Sequence, residues 1–286
     1  NSLIGSDYFD GENLSLFDDE EAKKVNAFDW DVEFPGVFTN GGFDCVIGNP
    51  PYVRQEILGQ NFKDYAQRKF KTFAGTADLY TYFIEKGISI LNEGGLFSYI
   101  VANKWMKSNY GKSLRLWMKD QNICEVLDFG DLPVFHGPST YPCIIGIQRG
   151  EITETFRALT IASLGFHDLQ EFVNKNCFEV HQDNLEDDGW SLINEETYSL
   201  VKKVSEIGIP LGVVVDENIN YGIKTGFNEA FIISESDRDQ LIKIDKKSKE
   251  LIKPFLKGRD IKKYKIPEIS NYLIFIKNGW TRYQSN

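Results

Sequence analysis

A short apolar run that stops at two prolines limits most strongly how this chain can fold. Residues 43–48 have the composition of a β-strand, and Asn49, Pro50 and Pro51 form a turn directly after them. A nearly continuous apolar strand is typical of a strand buried on both faces of a parallel sheet. Proline fixes φ and lacks an N–H group, so the ladder cannot continue through this turn. The sequence therefore predicts a parallel strand whose carboxyl end is a rigid turn.

Apolar strands and amphipathic helices alternate along residues 43–148. The pattern predicts helices over 78–91 and 111–121 and further strands over 96–102, 123–129 and 142–148. This alternation is typical of an α/β fold with a doubly wound sheet. After about residue 149 the elements become shorter and mixed, and a new helical stretch begins near residue 191. We therefore expect a domain over residues 1–150, a connector with some strand content over 151–190 and an α+β module over 191–286.

Composition excludes several classes of protein. With 286 residues, of which 42% are hydrophobic, the chain can bury a sizeable core. It has no uncharged apolar run of about 18 residues and no basic start followed by an apolar signal region, so we expect a cytoplasmic protein without a membrane partner. The cysteines are widely spaced and form no Cys-x-x-Cys pattern, which predicts reduced thiols and no metal site. They are Cys45, Cys124, Cys143 and Cys177.

Charge is distributed unevenly along the chain. The formal net charge of -10 argues against an indiscriminate nucleic-acid binder, because lysine and arginine supply most non-specific affinity for phosphates. Residues 1–35 carry ten acids and two lysines, whereas residues 241–265 carry ten bases and three acids. The two ends therefore face different electrostatic partners. A solvated helix face with ion pairs four residues apart explains the basic run equally well.

The segment 43–52, Phe-Asp-Cys-Val-Ile-Gly-Asn-Pro-Pro-Tyr, resembles the catalytic motif of amino-group DNA methyltransferases. The resemblance implies that the Asn49 side-chain oxygen and the Pro50 carbonyl accept hydrogen bonds from an adenine amine, in a turn that Pro51 stiffens. These acceptors would stabilise the positive charge that grows on the nitrogen during methyl transfer. Tyr52 would stack on the base, which must first leave the duplex. The alternative is a rigid turn that packs a surface tyrosine.

Further segments resemble the same family in the same order. Residues 76–80, Thr-Ala-Asp-Leu-Tyr, resemble a motif beside the S-adenosylmethionine pocket, which implies cofactor contacts for Asp78 and also for Asn49; Asp78 could equally be a helix N-cap. Residues 94–101 resemble the strand that follows. Residues 128–135 resemble the segment that supplies a second aromatic against the flipped base, which implies that role for Phe135. A core phenylalanine is the competing interpretation.

Residues 221–231 and 252–261 resemble the target-recognition region of TaqI-like and Eco57I-like enzymes. Glycine-rich turns with polar and basic side chains suit contacts to phosphates and base edges. The candidate DNA-binding residues are Lys224, Thr225, Asn228, Lys257 and Arg259. A folded loop with capping asparagine and threonine explains residues 224–228 about as well.

The chain departs from the family in its first part. No Gly-x-Gly precedes Asn49, and the residues before it are too few for three βα units. We therefore expect that the chain begins inside a methyltransferase domain, lacks the main cofactor-binding turn and ends before the recognition domain is complete. A strand edge should then be exposed, most simply that of the strand ending at Asn49.

The resemblance implies a fragment of an adenine-specific DNA methyltransferase of the fused type II restriction-modification enzymes. Its implied fold is a partial doubly wound, Rossmann-like sheet followed by an α+β target-recognition region. Its implied partners are double-stranded DNA and S-adenosylmethionine, with magnesium only where the parent also has a nuclease domain. Two alternatives remain open. One is methylation of a protein glutamine, because those enzymes use the same tetrapeptide; the other is a non-catalytic DNA-recognition fragment or subunit.

Overall fold

The computed structural model describes residues 2–9, 23–135, 141–219 and 228–276. The chain divides into two compact units, Asn1–Gly208 and Ile209–Asn286. The sequence analysis placed a boundary near residue 150 and a connector over 151–190. In the structure that stretch supplies two strands to the sheet of the first unit. These strands are short and lie next to loops, so their sequence pattern is weaker than that of the central strands.

The first unit is built on a six-stranded mixed sheet with the strand order β1-β2-β4-β3-β5-β6. Its strands are β1 (Phe43–Gly48), β2 (Leu91–Ala102), β3 (Asn122–Asp128), β4 (Pro142–Gln148), β5 (Thr155–Thr160) and β6 (Phe178–His181). The pairs β1/β2 and β3/β5 are parallel. Strand β4 runs antiparallel to β2 and β3, and β6 runs antiparallel to β5. The fold is therefore α/β with a mixed sheet.

Helices of the first unit follow the predicted pattern with shorter bounds. They are α1 (Trp30–Glu33), α2 (Pro35–Thr39), α3 (Gln60–Lys69), α4 (Tyr80–Ser89), α5 (Lys112–Met118), α6 (Leu169–Asn176) and α7 (Glu195–Ile207). Short 3-10 turns cover Ser6–Phe9, Asn103–Met106, Asn109–Gly111 and Gln182–Asn184. Strand β2 already begins at Leu91, because this residue pairs with Phe43 of β1. The pair Gly94-Gly95 therefore lies inside a strand and does not separate a helix from it.

Alternate side chains of the central strands pack on opposite faces of the sheet. Val126 and Ile145 belong to a buried cluster that also holds residues of α4 and α5. Their chain neighbours Leu127 and Ile144 pack on the other face, with Val173 of α6. Successive residues of a strand point to opposite faces, so helices cover both sides of the sheet centre. This arrangement confirms the predicted doubly wound architecture for the central strands.

Strand β1 lies at one edge of the sheet, as the sequence analysis expected. It is not buried on both faces, and that expectation was wrong: Cys45 is exposed and Ile47 is 80% exposed. Leu96 of β2, which pairs with Cys45, is 51% exposed. Among the described residues no strand pairs with the outer side of β1. An apolar run indicates a strand, but it does not say whether another element covers it.

The second unit contains a small antiparallel sheet and short helices. Its strands β7 (Ile232–Ser234), β8 (Ile252–Phe255) and β9 (Asn271–Ile274) have the order β7-β9-β8. Its helices are α8 (Leu211–Val214), α9 (Asn228–Phe231), α10 (Glu235–Ile244) and α11 (Ser248–Leu251), with a 3-10 turn over Gly258–Asp260. Ser234 and Asp237 form a capping box that starts α10. This is an α+β unit.

The four cysteines are free thiols. No group of three or more histidine, cysteine or carboxylate side chains in the described ranges could hold a metal ion. Within the same ranges, no helix is both long and apolar enough to span a membrane.

Candidate active site

The loop Asn49–Tyr52 leaves the carboxyl end of β1. Because β1 and β2 are parallel, both strands end at the same edge of the sheet. Asn49 is exposed, whereas the next residue, Pro50, is buried. A buried proline with a fixed φ holds the exposed asparagine at the end of the strand. The side-chain amide of Asn49 is thus open to a molecule that approaches this edge.

The ring of Tyr52 is half-buried and anchored by its hydroxyl group. The last residue pair of β1 and β2 is Gly48 with Tyr99, so the Ile100 carbonyl lies just beyond the ladder. The Tyr52 hydroxyl donates a hydrogen bond to that carbonyl, with an oxygen–oxygen distance of 3.3 Å. Burial, with a smaller effect of Cys143, raises the pKa of Tyr52 to about 12. Tyr52 is therefore a neutral phenol at physiological pH.

Two hydrogen bonds join the end of this loop to the start of α4. The Leu79 N–H donates to the Val53 carbonyl at 3.0 Å, and the Gln55 N–H donates to Oδ1 of Asp78 at 3.3 Å. Burial raises the pKa of Asp78, while the Gln55 N–H and two nearby cations, Lys104 and Arg54, act in the opposite direction. The Asp78 carboxylate fastens the loop.

The N-cap interpretation of Asp78 does not fit this geometry. Helix α4 begins at Tyr80 after Leu79, and no side chain caps its start. The backbone carbonyl of Asp78 accepts a hydrogen bond from the Thr81 hydroxyl at 2.8 Å, but its side chain points to the loop. The carboxylate that the sequence singled out therefore lies beside Asn49–Tyr52, as expected, and bonds to a loop amide.

A pair of tyrosines lies next to the loop on its inner side. Tyr80 is 1% exposed, and its ring centroid is 6.4 Å from that of Tyr52. The Tyr80 and Tyr110 hydroxyl oxygens are 2.9 Å apart. Burial raises the pKa of both phenols, so both hydroxyl groups keep their protons. These rings form a rigid apolar support for Tyr52.

Phe135 lies beyond the carboxyl end of β3, at the same edge of the sheet as Asn49. It is half-buried, whereas Phe129 earlier in the same segment is 4% exposed and belongs to the core. Asp128 fixes the start of this segment, because its Oδ1 accepts hydrogen bonds from Asn103 Nδ2 at 2.7 Å and Gly130 N at 2.9 Å. This network ties the ends of β2 and β3 together.

The predicted DNA-binding residues belong to the second unit. Lys224 and Thr225 lie outside the described residues, and so does the side chain of Asn228, whose backbone starts α9. The Lys257 N–H donates to the Asp260 carboxylate at 2.8 Å, which closes a compact turn. Arg259 is exposed within that turn.

An apolar groove of about 350 Å³ runs beside β1 in the first unit. Its lining includes Trp30, Phe43, Ile47, Phe83, Lys86 and Tyr99. Burial lowers the pKa of Lys86, and the carboxylates Asp29 and Asp31 oppose that effect. Aromatic and aliphatic groups dominate this groove, so it has few groups that could bind a charged ligand.

Sequence reasoning missed several residues of this edge, above all Lys104, Asn103 and Tyr110. A signal for the first two was present, because both directly follow a predicted buried strand. The carboxyl ends of strands are where open α/β sheets bind ligands, and this argument had been applied only to Asn49. Tyr110 had no comparable signal, since its contact with Tyr80 joins residues 30 positions apart.

An α/β sheet with an Asn-Pro-Pro-Tyr loop at the carboxyl end of an edge strand defines the class: an α/β protein with a methyltransferase-like catalytic loop. The family follows from a direct match. Residues 1–135 match the model of the Eco57I restriction-modification methylase family, and this part of the chain belongs to that family.

Relatives and a solved structure agree with this assignment. The chain is 28% identical over 250 residues to the type II restriction enzyme and methyltransferase RM.Eco57I of Escherichia coli, covering 82% of this chain and 22% of that protein. It is 30% identical over 204 residues to the type II methyltransferase M.PaeR7I of Pseudomonas aeruginosa, covering 67% and 35%. The fold resembles that of the type IIL restriction-modification enzyme MmeI in complex with DNA, with a TM-score of 0.51 and 14% identity, over 84% of this chain and 30% of that one. The chain spans only about a fifth to a third of the length of these proteins.

The cofactor that this family implies, S-adenosylmethionine, can be tested against the residues present. Open α/β sheets hold such ligands with a glycine-rich turn after a strand and an acidic residue at the end of another. No Gly-x-Gly precedes Asn49, and the Asp78 carboxylate already accepts the Gln55 N–H. The described residues therefore form the side of the site that faces the methyl acceptor. They do not form a complete cofactor cradle.

Proposed function

We propose that this chain is the part of a type II restriction-modification DNA methyltransferase that holds the catalytic loop, and that the reaction methylates the exocyclic amine of adenine in double-stranded DNA. The observation that carries the proposal is the exposed amide of Asn49 at the carboxyl end of β1, next to the anchored ring of Tyr52. Two relatives whose names include "type II methyltransferase" or "restriction enzyme and methyltransferase" support it. A cytoplasmic location is part of the proposal.

Asn49 and Pro50 act on the target amine. The lone pair of this nitrogen is delocalised into the adenine ring, so the amine is a weak nucleophile. Two acceptors, Oδ1 of Asn49 and the Pro50 carbonyl, take up its N–H groups and favour a geometry in which the lone pair points outward. The same acceptors stabilise positive charge on the nitrogen as its fourth bond forms. Pro51 keeps the turn rigid, because its ring fixes φ.

Aromatic side chains hold the base outside the duplex. An enzyme reaches this amine only after the nucleotide has left the stack. Tyr52, supported by Tyr80 and kept neutral by its raised pKa, offers one stacking surface. Phe135 offers the second from the end of β3. Stacking contributes about 1–3 kcal/mol per base, which offsets part of the cost of extrusion.

S-adenosylmethionine supplies the methyl group when it is bound. Asn49 and Asp78 are the residues of this chain proposed to lie against it, with Asp78 acting mainly through the position of the loop. Magnesium belongs to the proposal only where a nuclease domain is present in the same protein. Lys224, Thr225, Asn228, Lys257 and Arg259 are proposed to contact DNA from the second unit, since basic and polar side chains on turns suit phosphate and base-edge contacts.

Following a labelled methyl group tests this function. The longest open reading frame that contains the chain would be incubated with S-adenosylmethionine labelled in its methyl group and with double-stranded DNA, and the DNA would be digested to nucleosides. The proposal predicts that the label appears in N6-methyladenine. Label in N4-methylcytosine would contradict the choice of base. Label in a protein glutamine, with none in DNA, would contradict the choice of substrate.

A further inference from the structure

The 3-10 turn Asn103–Met106 directly continues β2 at the edge of the sheet that carries Asn49. Its residue Lys104 is exposed, while the residues on either side are fixed. The Asn103 N–H donates to the Tyr141 carbonyl and its Nδ2 donates to Asp128, both at 2.7 Å. Trp105 is fully buried. A charged side chain between two anchored neighbours starts from a fixed backbone position.

A buried arginine holds the same turn from behind. Nη1 of Arg115 donates to the carbonyls of Trp105 at 2.6 Å and of Ser108 at 2.8 Å. Gly111 packs so closely that a Cβ there would lie 2.0 Å from the Trp105 carbonyl oxygen, so only glycine fits. The backbone under Lys104 is therefore rigid and its direction is set by the fold.

The ammonium group of Lys104 reaches the catalytic loop and has no acidic partner. Lys104 lowers the pKa of Asp78, against the larger effect of burial, so its charge lies within electrostatic reach of the carboxylate that fastens the loop. Its Nζ is 6.0 Å from the ring centroid of Tyr141, a distance typical of a cation–π contact. No ion pair among the described residues includes Lys104. The cation is thus available to an anion at this edge.

We propose that Lys104 binds a backbone phosphate of the DNA strand to be methylated, beside the nucleotide that enters the loop Asn49–Tyr52. This inference rests on the proposed function and adds a contact from the first unit. Lysine suits a phosphate because its ammonium is a compact charge that needs no fixed approach angle. The contact is sequence-independent: it sets the position of the strand, while other residues read the bases.

The test is the salt dependence of DNA binding. The protein from the longest open reading frame containing the chain would be titrated against a fluorescent duplex in which one adenine faces an abasic site, because an unpaired base costs less to extrude. Binding would be measured by fluorescence anisotropy between about 50 and 200 mM salt. The variants are Lys104→Gln, Lys104→Arg and the control Lys107→Gln. Lys107 is an exposed lysine at the end of the same turn, next to the residue whose carbonyl accepts the Trp190 N–H.

The proposal predicts that Lys104→Gln weakens binding and reduces the magnitude of the slope of log K against log salt by about 0.9, the value for one phosphate contact. Lys104→Arg should keep the wild-type slope, and so should Lys107→Gln. Equal slopes for wild type and Lys104→Gln would overturn it, and so would an equal loss in Lys107→Gln. Loss of thermal stability in Lys104→Gln with an unchanged slope would overturn it as well, because Lys104 would then act only through Asp78. A wild-type protein that binds no DNA would refute the proposed function together with this inference.

Discussion

The Asp78 carboxylate accepts the backbone N–H of Gln55, three residues after Tyr52, and so connects the catalytic loop to the start of α4. Most carboxylates in proteins are stabilised in their charged form. Here burial has the larger effect, and it raises the pKa of Asp78. The loop is therefore held by a carboxylate that carries its charge at a cost.

The pH dependence of stability should reveal this cost. Because the pKa of Asp78 is higher in the folded chain than in the unfolded one, the folded state binds more protons between the two values, and stability falls as pH rises through that window. Asp78→Asn keeps an acceptor for Gln55 and should remove this part of the slope, leaving the variant at least as stable at neutral pH. Denaturant unfolding from pH 3 to 8 (about the range that contains the model carboxyl pKa) would measure it.

The control for that experiment is Asp78→Ala. It leaves the Gln55 N–H without its acceptor, and the expected loss relative to Asp78→Asn is about 1 kcal/mol in the free energy of unfolding. If both variants had the same stability, the hydrogen bond would contribute nothing. An Asp78→Asn variant that is clearly less stable than wild type at neutral pH would show that the charge itself is needed.

Two substitutions of Tyr52 should separate its hydroxyl group from its ring. Tyr52→Phe removes the donor to the Ile100 carbonyl and should lower the free energy of unfolding by about 1 kcal/mol, while it keeps a stacking surface. Tyr52→Ala removes the ring and should weaken base extrusion, by about 1–3 kcal/mol. The fluorescence of 2-aminopurine at the target position reports extrusion. An unchanged signal in Tyr52→Ala would contradict the stacking role.

The uncovered face of β1 predicts a pattern of thiol reactivity. Cys45 is exposed on this edge strand, whereas Cys143 is buried and its pKa is raised by burial. In the native chain a thiol reagent should modify Cys45 in the fastest phase, and Cys45→Ser should abolish that phase. Cys143→Ser is the control and should leave it unchanged. Protection of Cys45, together with weak binding of a hydrophobic dye, would mean that another segment covers this edge.

Arg115 should be one of the most sensitive positions in the first unit. Besides the carbonyls of Trp105 and Ser108, it donates to the Asp187 carbonyl through Nε at 3.0 Å and Nη2 at 2.9 Å. Hydrogen bonds from a charged donor are worth about 1.5–3 kcal/mol each, so Arg115→Met should cost about 3 kcal/mol or more. Lys112→Gln, which breaks the exposed ion pair with Asp188, is the control and should cost at most about 1 kcal/mol. Similar losses in both variants would contradict this role for the buried guanidinium.

The sequence predicted the elements with strong periodic patterns and the motif that ends β1. Strands β3 and β4 and helices α4 and α5 lie where their patterns placed them, because apolar spacing reflects which side chains the fold buries. The pattern could not show that Ile47 is exposed, since exposure depends on what covers the strand. It also could not show that Asp78 bonds to Gln55, a contact between loops whose geometry depends on packing. The role of the loop Asn49–Tyr52 stays a prediction.

The amount of N6-methyladenine formed by an Asn49→Ala variant tests the central claim most directly. Asn40→Ala is the matched control, because this exposed asparagine precedes β1 at the opposite edge of the sheet. Both variants would be made in the longest open reading frame that contains the chain, and product would be measured by mass spectrometry of digested DNA at saturating cofactor. We predict that Asn49→Ala forms no detectable product while it binds DNA as wild type does, and that Asn40→Ala is fully active. Substantial N6-methyladenine from Asn49→Ala would contradict the assignment of this loop as the catalytic site.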